Sequence, residues 1–281
     1  MNTKSLGISR GYTSGQFGQV HFWETGSHHD QPTLFCLHAT AYSAQTFLPL
    51  MVRLGTDRHV VAIDTPGYGS SDGPTQEIDF SVYAGAIAEA IHLTKSPNTS
   101  SVDIFGFHTG ALLATEIAAL QPELVRRLIL MGVPYFTGAE KKIWQQKLVH
   151  KTELTDSFDQ FRHRWDYFIT NRTAGLALAR AYECFVDELR AYPRDWWAHE
   201  ALFAYAPETR LQLVKSPTLI LNSASPLAPF CRAAADLMPQ SKVIELPLVN
   251  GAPFDTAAEI LAAEFKRFLD CSDDQAKCKY E

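Results

Sequence analysis

The sequence predicts an α/β fold: a mostly parallel central sheet with helices on both faces and a helical cap inserted over the carboxyl edge of the strands. Three observations carry this prediction. Short, continuous apolar runs alternate with stretches whose apolar residues fall at helical spacing, each joined by a short connection. One stretch, 102–114, reads as a strand, a sharp turn and a helix, with small residues crowded at the bend. Between 136 and 213 the apolar runs stop, and long aromatic, charged and helix-favouring stretches replace them. The core domain is accordingly assigned to 1–135 and 214–281, and the cap to 136–213.

Residues 18–24 (Gly-Gln-Val-His-Phe-Trp-Glu) mostly alternate apolar and polar, as a half-buried edge strand does, and Thr25-Gly26-Ser27 end the strand. Pro32 opens the apolar run 33–37, which is too short for a helix and suits a strand covered on both faces. Ser43 is positioned to cap the amphipathic stretch 44–54. The next strand, 59–63, ends at Asp64 and enters the turn-rich Thr65-Pro66-Gly67-Tyr68-Gly69-Ser70-Ser71. A helix is expected over 80–94, then the strand and helix of 102–114, then a strand at 128–131. After the cap, 218–221 and 243–246 resume the sheet, and 257–269 closes it as an amphipathic helix. The tail 271–281 is polar and expected to be loose.

With 281 residues, 46% hydrophobic and 20% charged, the chain has enough apolar material for one large domain with an insertion. A net charge of -6 and no basic run argue against nucleic acid or an anionic membrane as partner, and favour a small neutral or apolar molecule. The polar N-terminus, with no apolar stretch of signal-peptide or membrane-spanning length anywhere, predicts a cytoplasmic protein. Cys36, Cys184, Cys231, Cys271 and Cys278 lack metal or redox spacing and are expected as free thiols. No metal and no cofactor is expected, and a homodimer is compatible with the chain.

The stretch 102–114 has the shape of a nucleophile elbow. Gly106, Gly110 and Ala111 let strand and helix approach closely while one side chain projects above the sheet. That side chain is His108. At the start of a helix the positive end of the dipole disfavours imidazolium, so a neutral ring is expected at physiological pH. A neutral imidazole can attack a carbonyl, take a proton as general base, or offer a hydrogen bond.

In this order the loop His38-Ala39-Thr40-Ala41, the loop 64–71, the elbow, the cap and the two late strands make the chain resemble the α/β-hydrolase superfamily over nearly its whole length. The chain looks most like a subset with His-Thr-Gly at the elbow. The resemblance implies triad places at His108 for serine, at Ser225 for the acid after strand 218–221, and at Ala252 for histidine after the last strand. All three are changed, so acyl-serine chemistry is not implied. It also implies backbone oxyanion donors at Thr109 and Thr40, with Ala39 where the family usually has glycine, and Asp64 as a brace for its loop.

The expected activity is hydrolysis of a small, largely apolar carbonyl compound, an ester, lactone or diketone. His108, Thr109 and Thr40 are the catalytic candidates, and His38, Phe107, Ser225, Trp144 and Trp165 the substrate-binding ones. His38 is expected on the same pocket rim as His108, with a loop-stabilising role favoured over catalysis. Asp255 is read as a cap for the final helix or a partner for His108; His150, His163 and His199 as cap residues that reach down or stay solvated. The rival functions are a lyase, isomerase or cofactor-free oxygenase in which His108 moves a proton, and an inactive ligand-binding protein.

Overall fold

The computed structural model describes residues 7–27, 31–151 and 153–271. Among them, eight strands make one sheet: β1 (Ile8–Gly15), β2 (Gly18–Thr25), β3 (Leu34–Leu37), β4 (Val60–Ile63), β5 (Val102–Phe107), β6 (Val125–Met131), β7 (Thr218–Ser223) and β8 (Ser241–Leu246). Their spatial order is β1-β2-β4-β3-β5-β6-β7-β8. The first two strands are antiparallel to their neighbours, and the other six run parallel. Every residue of β3 and β4 is buried, as their unbroken apolar runs predict.

β1 is the strand that the sequence reading omits. Its residues, Ile-Ser-Arg-Gly-Tyr-Thr-Ser-Gly, carry almost no apolar periodicity, because the strand is held at the sheet edge by an eight-residue ladder to β2 rather than by burial.

The two sheet faces are covered as expected. Helices α2 (Phe80–Thr94) and α3 (Thr109–Leu120) pack together on one face, and α1 (Leu48–Leu54) and α11 (Ala258–Leu269) on the other. The stretch 44–54, read as a single helix, divides into a 3-10 turn (Ala44–Phe47) and α1, with Pro49 in the first turn of α1. Ser43 caps the 3-10 turn, its Oγ accepting from the Gln45 N–H at 3.2 Å.

Between β6 and β7 the described residues form α4 (Gly138–Leu148), α5 (Asp159–Trp165), a π-helical turn (Asp166–Thr170), α6 (Leu178–Leu189), α7 (Trp197–Ala204) and α8 (Pro207–Leu211), with no strand. Buried polar contacts tie this insertion to the core. Arg180 on α6 donates to Asp255 Oδ1 at 2.9 Å and to the Gln45 carbonyl at 3.1 Å. Asp187 on α6 accepts from the Ser43 N–H at 3.0 Å and from its hydroxyl at 2.7 Å. The short helices α9 (Ala228–Ala235) and α10 (Pro253–Thr256) follow β7 and β8.

Cys36, Cys184, Cys231 and Cys271 are free thiols; Cys278 and the tail from 272 lie outside the described residues. No helix among the described residues is long and apolar enough to cross a membrane.

Candidate active site

The site is set by strand order. β3 lies between β4 and β5, so the loops leaving β3, β4 and β5 meet above one stretch of the sheet's carboxyl edge. His108 occupies the single residue between β5 and α3, with φ 51° and ψ -117°. Among the described residues it is the one non-glycine with positive φ. Such a conformation costs on the order of 1–3 kcal/mol and persists only where the surroundings enforce it. Here the His108 N–H donates to the Met131 carbonyl at 2.9 Å, and its own carbonyl accepts from the Ala111 N–H at 2.8 Å. A Cβ on Gly110 would come within 2.1 Å of the Leu37 carbonyl oxygen, so glycine there lets α3 start hard against β3.

The His108 ring packs on Phe107, with ring centroids 4.0 Å apart, and lies beside Gly132, where an added Cβ would fall 2.3 Å from Cδ2. Its side chain makes no hydrogen bond to another described residue. Burial, with the nearby His199 second, pushes its pKa down to about 4, so the ring is neutral at pH 7.

His108 stands on the floor of a cavity of about 610 Å³ between the sheet edge and the insertion. Thr40, Thr109, Phe107, Trp144 and Ser225 also line it. The N–H of Thr109 is at the first turn of α3 and lacks an intrahelical acceptor, while the Thr40 N–H donates to no described protein group. Trp144 stacks on Phe136 at 4.9 Å to make an apolar wall. The Ser225 hydroxyl accepts from the Leu227 N–H at 3.3 Å, a turn-closing bond.

Two expected binding residues are elsewhere. His38 is buried beneath the rim rather than on it: Nδ1 donates to the Ala39 carbonyl at 2.8 Å, and Nε2 accepts from the Thr65 N–H at 2.9 Å. Both nitrogens are committed, so the ring staples the loops after β3 and β4 together and does not join His108 on the cavity wall. Trp165 turns away from the cavity because its ring packs edge-on against Tyr182 and Phe185 of α6.

The loops after β7 and β8 bring Ser223 to Leu227 and Asn250 to Asp255 to the cavity. Asp255 neither pairs with His108 nor caps a helix through its side chain. It is bound to Arg180, and Phe254 packs edge-on against Phe107 at 4.9 Å. Asp64 braces its loop, accepting from the Ala44 N–H at 2.7 Å and the Ser70 N–H at 2.8 Å and bonding His21 Nδ1 at 2.8 Å.

Residues 32–176, more than half of the chain, match the family described as alpha/beta hydrolase fold. The chain belongs to the α/β-hydrolase family. It is 26% identical over 143 residues to the (E)-2-((N-methylformamido)methylene)succinate hydrolase of Acinetobacter baylyi, covering 50% of each chain. The chain spans about half the length of the curated relatives it matches. Its fold is similar to that of a putative lipase from Acinetobacter baumannii (TM-score 0.78, 17% identity, covering 95% of this chain and 92% of that one). It is likewise similar to the esterase RhEst1 from Rhodococcus (TM-score 0.75, 21% identity, covering 93% and 98%).

In this α/β-hydrolase chain the insertion contributes the histidines for which the sequence left two places open, reaching down or solvated. His150, His163 and His199 all line the cavity. His199, on α7, is pushed down to about 4 by burial, which outweighs the raising effect of the nearby Leu148 backbone. Gly132 is absent from the sequence reading: only its contact with the His108 ring reveals it. At the cavity wall, burial raises the Cys184 thiol to about 11, which opposes formation of a thiolate there.

Proposed function

We propose that this protein hydrolyses a small, largely apolar ester, lactone or diketone, with His108 as general base toward water and the N–H groups of Thr109 and Thr40 as oxyanion donors. The observation that carries the reading is a neutral imidazole without a hydrogen-bond partner among the described residues, held in a strained turn at the floor of a largely apolar cavity. Water attacks the carbonyl carbon while His108 takes its proton. The same proton then goes to the leaving group when the tetrahedral intermediate collapses. A covalent acyl-imidazole would need a second group to remove the other ring proton before the leaving group could be protonated, so the water route asks less of this site. The insertion serves as the cap that keeps bulk water from the cavity.

The His108→Ala variant should lose turnover of p-nitrophenyl butyrate while its thermal unfolding stays cooperative; full activity would refute the assignment. A serine-directed fluorophosphonate should leave the protein unlabelled. A second reading, a ligand-binding protein without turnover, is favoured by the lack of any carboxylate acting on the His108 ring. It predicts saturable binding of a carbonyl compound that is recovered unaltered.

A further inference from the structure

We propose that Asp187, on α6 of the insertion, is a positioning residue for hydrolysis: it holds the loop that carries Thr40, so the insertion sets one oxyanion donor as well as covering the cavity. This rests on the reading of the Thr40 N–H as such a donor. Thr40 lies in the connection from β3 to the 3-10 turn and lines the cavity with His108. Its N–H donates to no described protein group, so its place is inherited from the residues on either side.

The core holds the near side. His38 Nδ1 donates to the Ala39 carbonyl at 2.8 Å, and the Tyr42 N–H donates to the same carbonyl at 2.9 Å, closing a turn with Thr40 and Ala41 at its tip. The far side is shared between core and insertion. Two buried carboxylates take consecutive peptide N–H groups: Asp187 accepts from Ser43 at 3.0 Å, and Asp64 from Ala44 at 2.7 Å. Asp187 also accepts from the Ser43 hydroxyl at 2.7 Å, while that hydroxyl accepts from the Gln45 N–H at 3.2 Å. Arg180, two turns earlier on the same side of α6, donates to the Gln45 carbonyl at 3.1 Å. The Tyr42 ring packs edge-on against Phe168 of the π-helical turn, with centroids 5.9 Å apart. Residues 42, 43 and 45 are thus each held by the insertion, immediately after the turn that presents Thr40.

Within this grip Asp187 is the costly member. Burial, with the charge of Asp64 behind it, raises its carboxyl to about 6 in spite of the bonds from Ser43. A tie made for stability alone would not carry that cost, since a neutral acceptor would hold Ser43 without it. What a carboxylate adds is direction: its two oxygens take the N–H and the O–H of one residue together, which fixes the orientation of Ser43 and of the chain leading back to Thr40. Arg180, Cys184, Asp187 and Glu188 of α6 also line the cavity. Lifting α6 therefore opens the cavity and frees the donor in one motion, and the site is complete while it is closed.

The test uses the full chain with Asp187→Asn, Ser43→Ala, the two combined, and His108→Ala, with p-nitrophenyl butyrate as probe. Asparagine keeps the shape and leaves one acceptor oxygen in place of two. Losing an oxyanion donor outright costs about 10²–10³-fold, so a donor loosened but not lost should cost about 10-fold in kcat with KM unchanged. Both single variants should show this, and the double should be no slower than the slower single, because both cut one tie. Losses that multiply in the double, or a raised KM with kcat unchanged, overturn the proposal. Independent of turnover, the Tyr42 amide should exchange with solvent deuterium about 10-fold faster in Asp187→Asn, while the amides of β5 keep their protection. Equal acceleration in β5 marks a loss of global stability and also overturns it. A wild-type kcat with faster exchange at Tyr42 keeps the tie but overturns the reading of Thr40 as donor; unchanged exchange overturns the tie itself. An active His108→Ala overturns the base reading without touching the tie, and if wild type leaves the ester intact, exchange alone decides it.

Discussion

Replacing Gly132 by alanine tests the placement of the His108 ring without touching a polar group. Gly132 has φ +66°, and a Cβ built there falls 2.3 Å from His108 Cδ2 and 2.7 Å from Nε2. Ordinary carbon contacts need about 3.5–4.0 Å, so the ring must move by roughly 1 Å or more. It cannot retreat freely, because the Phe107 ring is 4.0 Å away, centroid to centroid. The left-handed backbone costs alanine about 1–2 kcal/mol, and a displaced rotamer adds about 0.5–1.5 kcal/mol. A total of about 2–3 kcal/mol corresponds to a fall in Tm of roughly 5–10 °C for a chain of this size. A catalytic group misplaced by about 1 Å loses about 10²-fold in rate. Gly138→Ala is the control: Gly138 has φ +54° with nothing near the added Cβ, so it bears the backbone cost alone. Calorimetry and ester hydrolysis on the two variants separate the effects. If Gly132→Ala turns over substrate like Gly138→Ala, the ring does not work from the position described, and the reasoning fails.

Other expectations are open to the same kind of check. Burial raises Asp187 to about 6 despite its bonds to Ser43, so the folded state binds a proton more readily than the unfolded chain between about pH 4 and 6. Stability therefore falls as pH rises through that window, by up to roughly 3 kcal/mol, and denaturant titrations of Asp187→Asn should lack that component. His108 and His199 act in the opposite sense. Their depressed values make the unfolded state the better proton binder below about pH 6.5, so stability is lost as pH falls from there toward 4. Replacing both by glutamine should flatten the acid limb, and an unchanged limb would contradict the buried neutral state. Arg180→Met leaves the half-buried Asp255 without its partner and should cost about 1–3 kcal/mol in urea unfolding. His38→Ala leaves the Thr65 N–H without its acceptor, costing about 1–3 kcal/mol, without altering the preference among acyl chain lengths.

The sheet was largely legible because burial on both faces writes itself into consecutive residues. β3 and β4 are unbroken apolar runs, and the crowding at Gly106, Gly110 and Ala111 marks the turn that raises His108. Information of that kind is local. β1 escaped because ladder bonds to β2 hold it without an apolar face, and the division of 44–54 depends on how the chain packs beneath the cavity.

The chemistry of individual side chains was the tertiary structure's to decide, since a ring's role depends on what its nitrogens meet. His38 and His108 stand at equivalent strand ends, yet the first is consumed by Ala39 and Thr65 while the second makes no hydrogen bond through its ring. Asp255 went to Arg180, 75 residues away in the chain, and Trp165 to α6. His199 reached the cavity because α7 folds back onto α3. Sequence alone determined that one imidazole would stand at the bend between β5 and α3. What surrounds that imidazole, and so what protons it can exchange, came from contacts between residues distant along the chain, which no local pattern encodes.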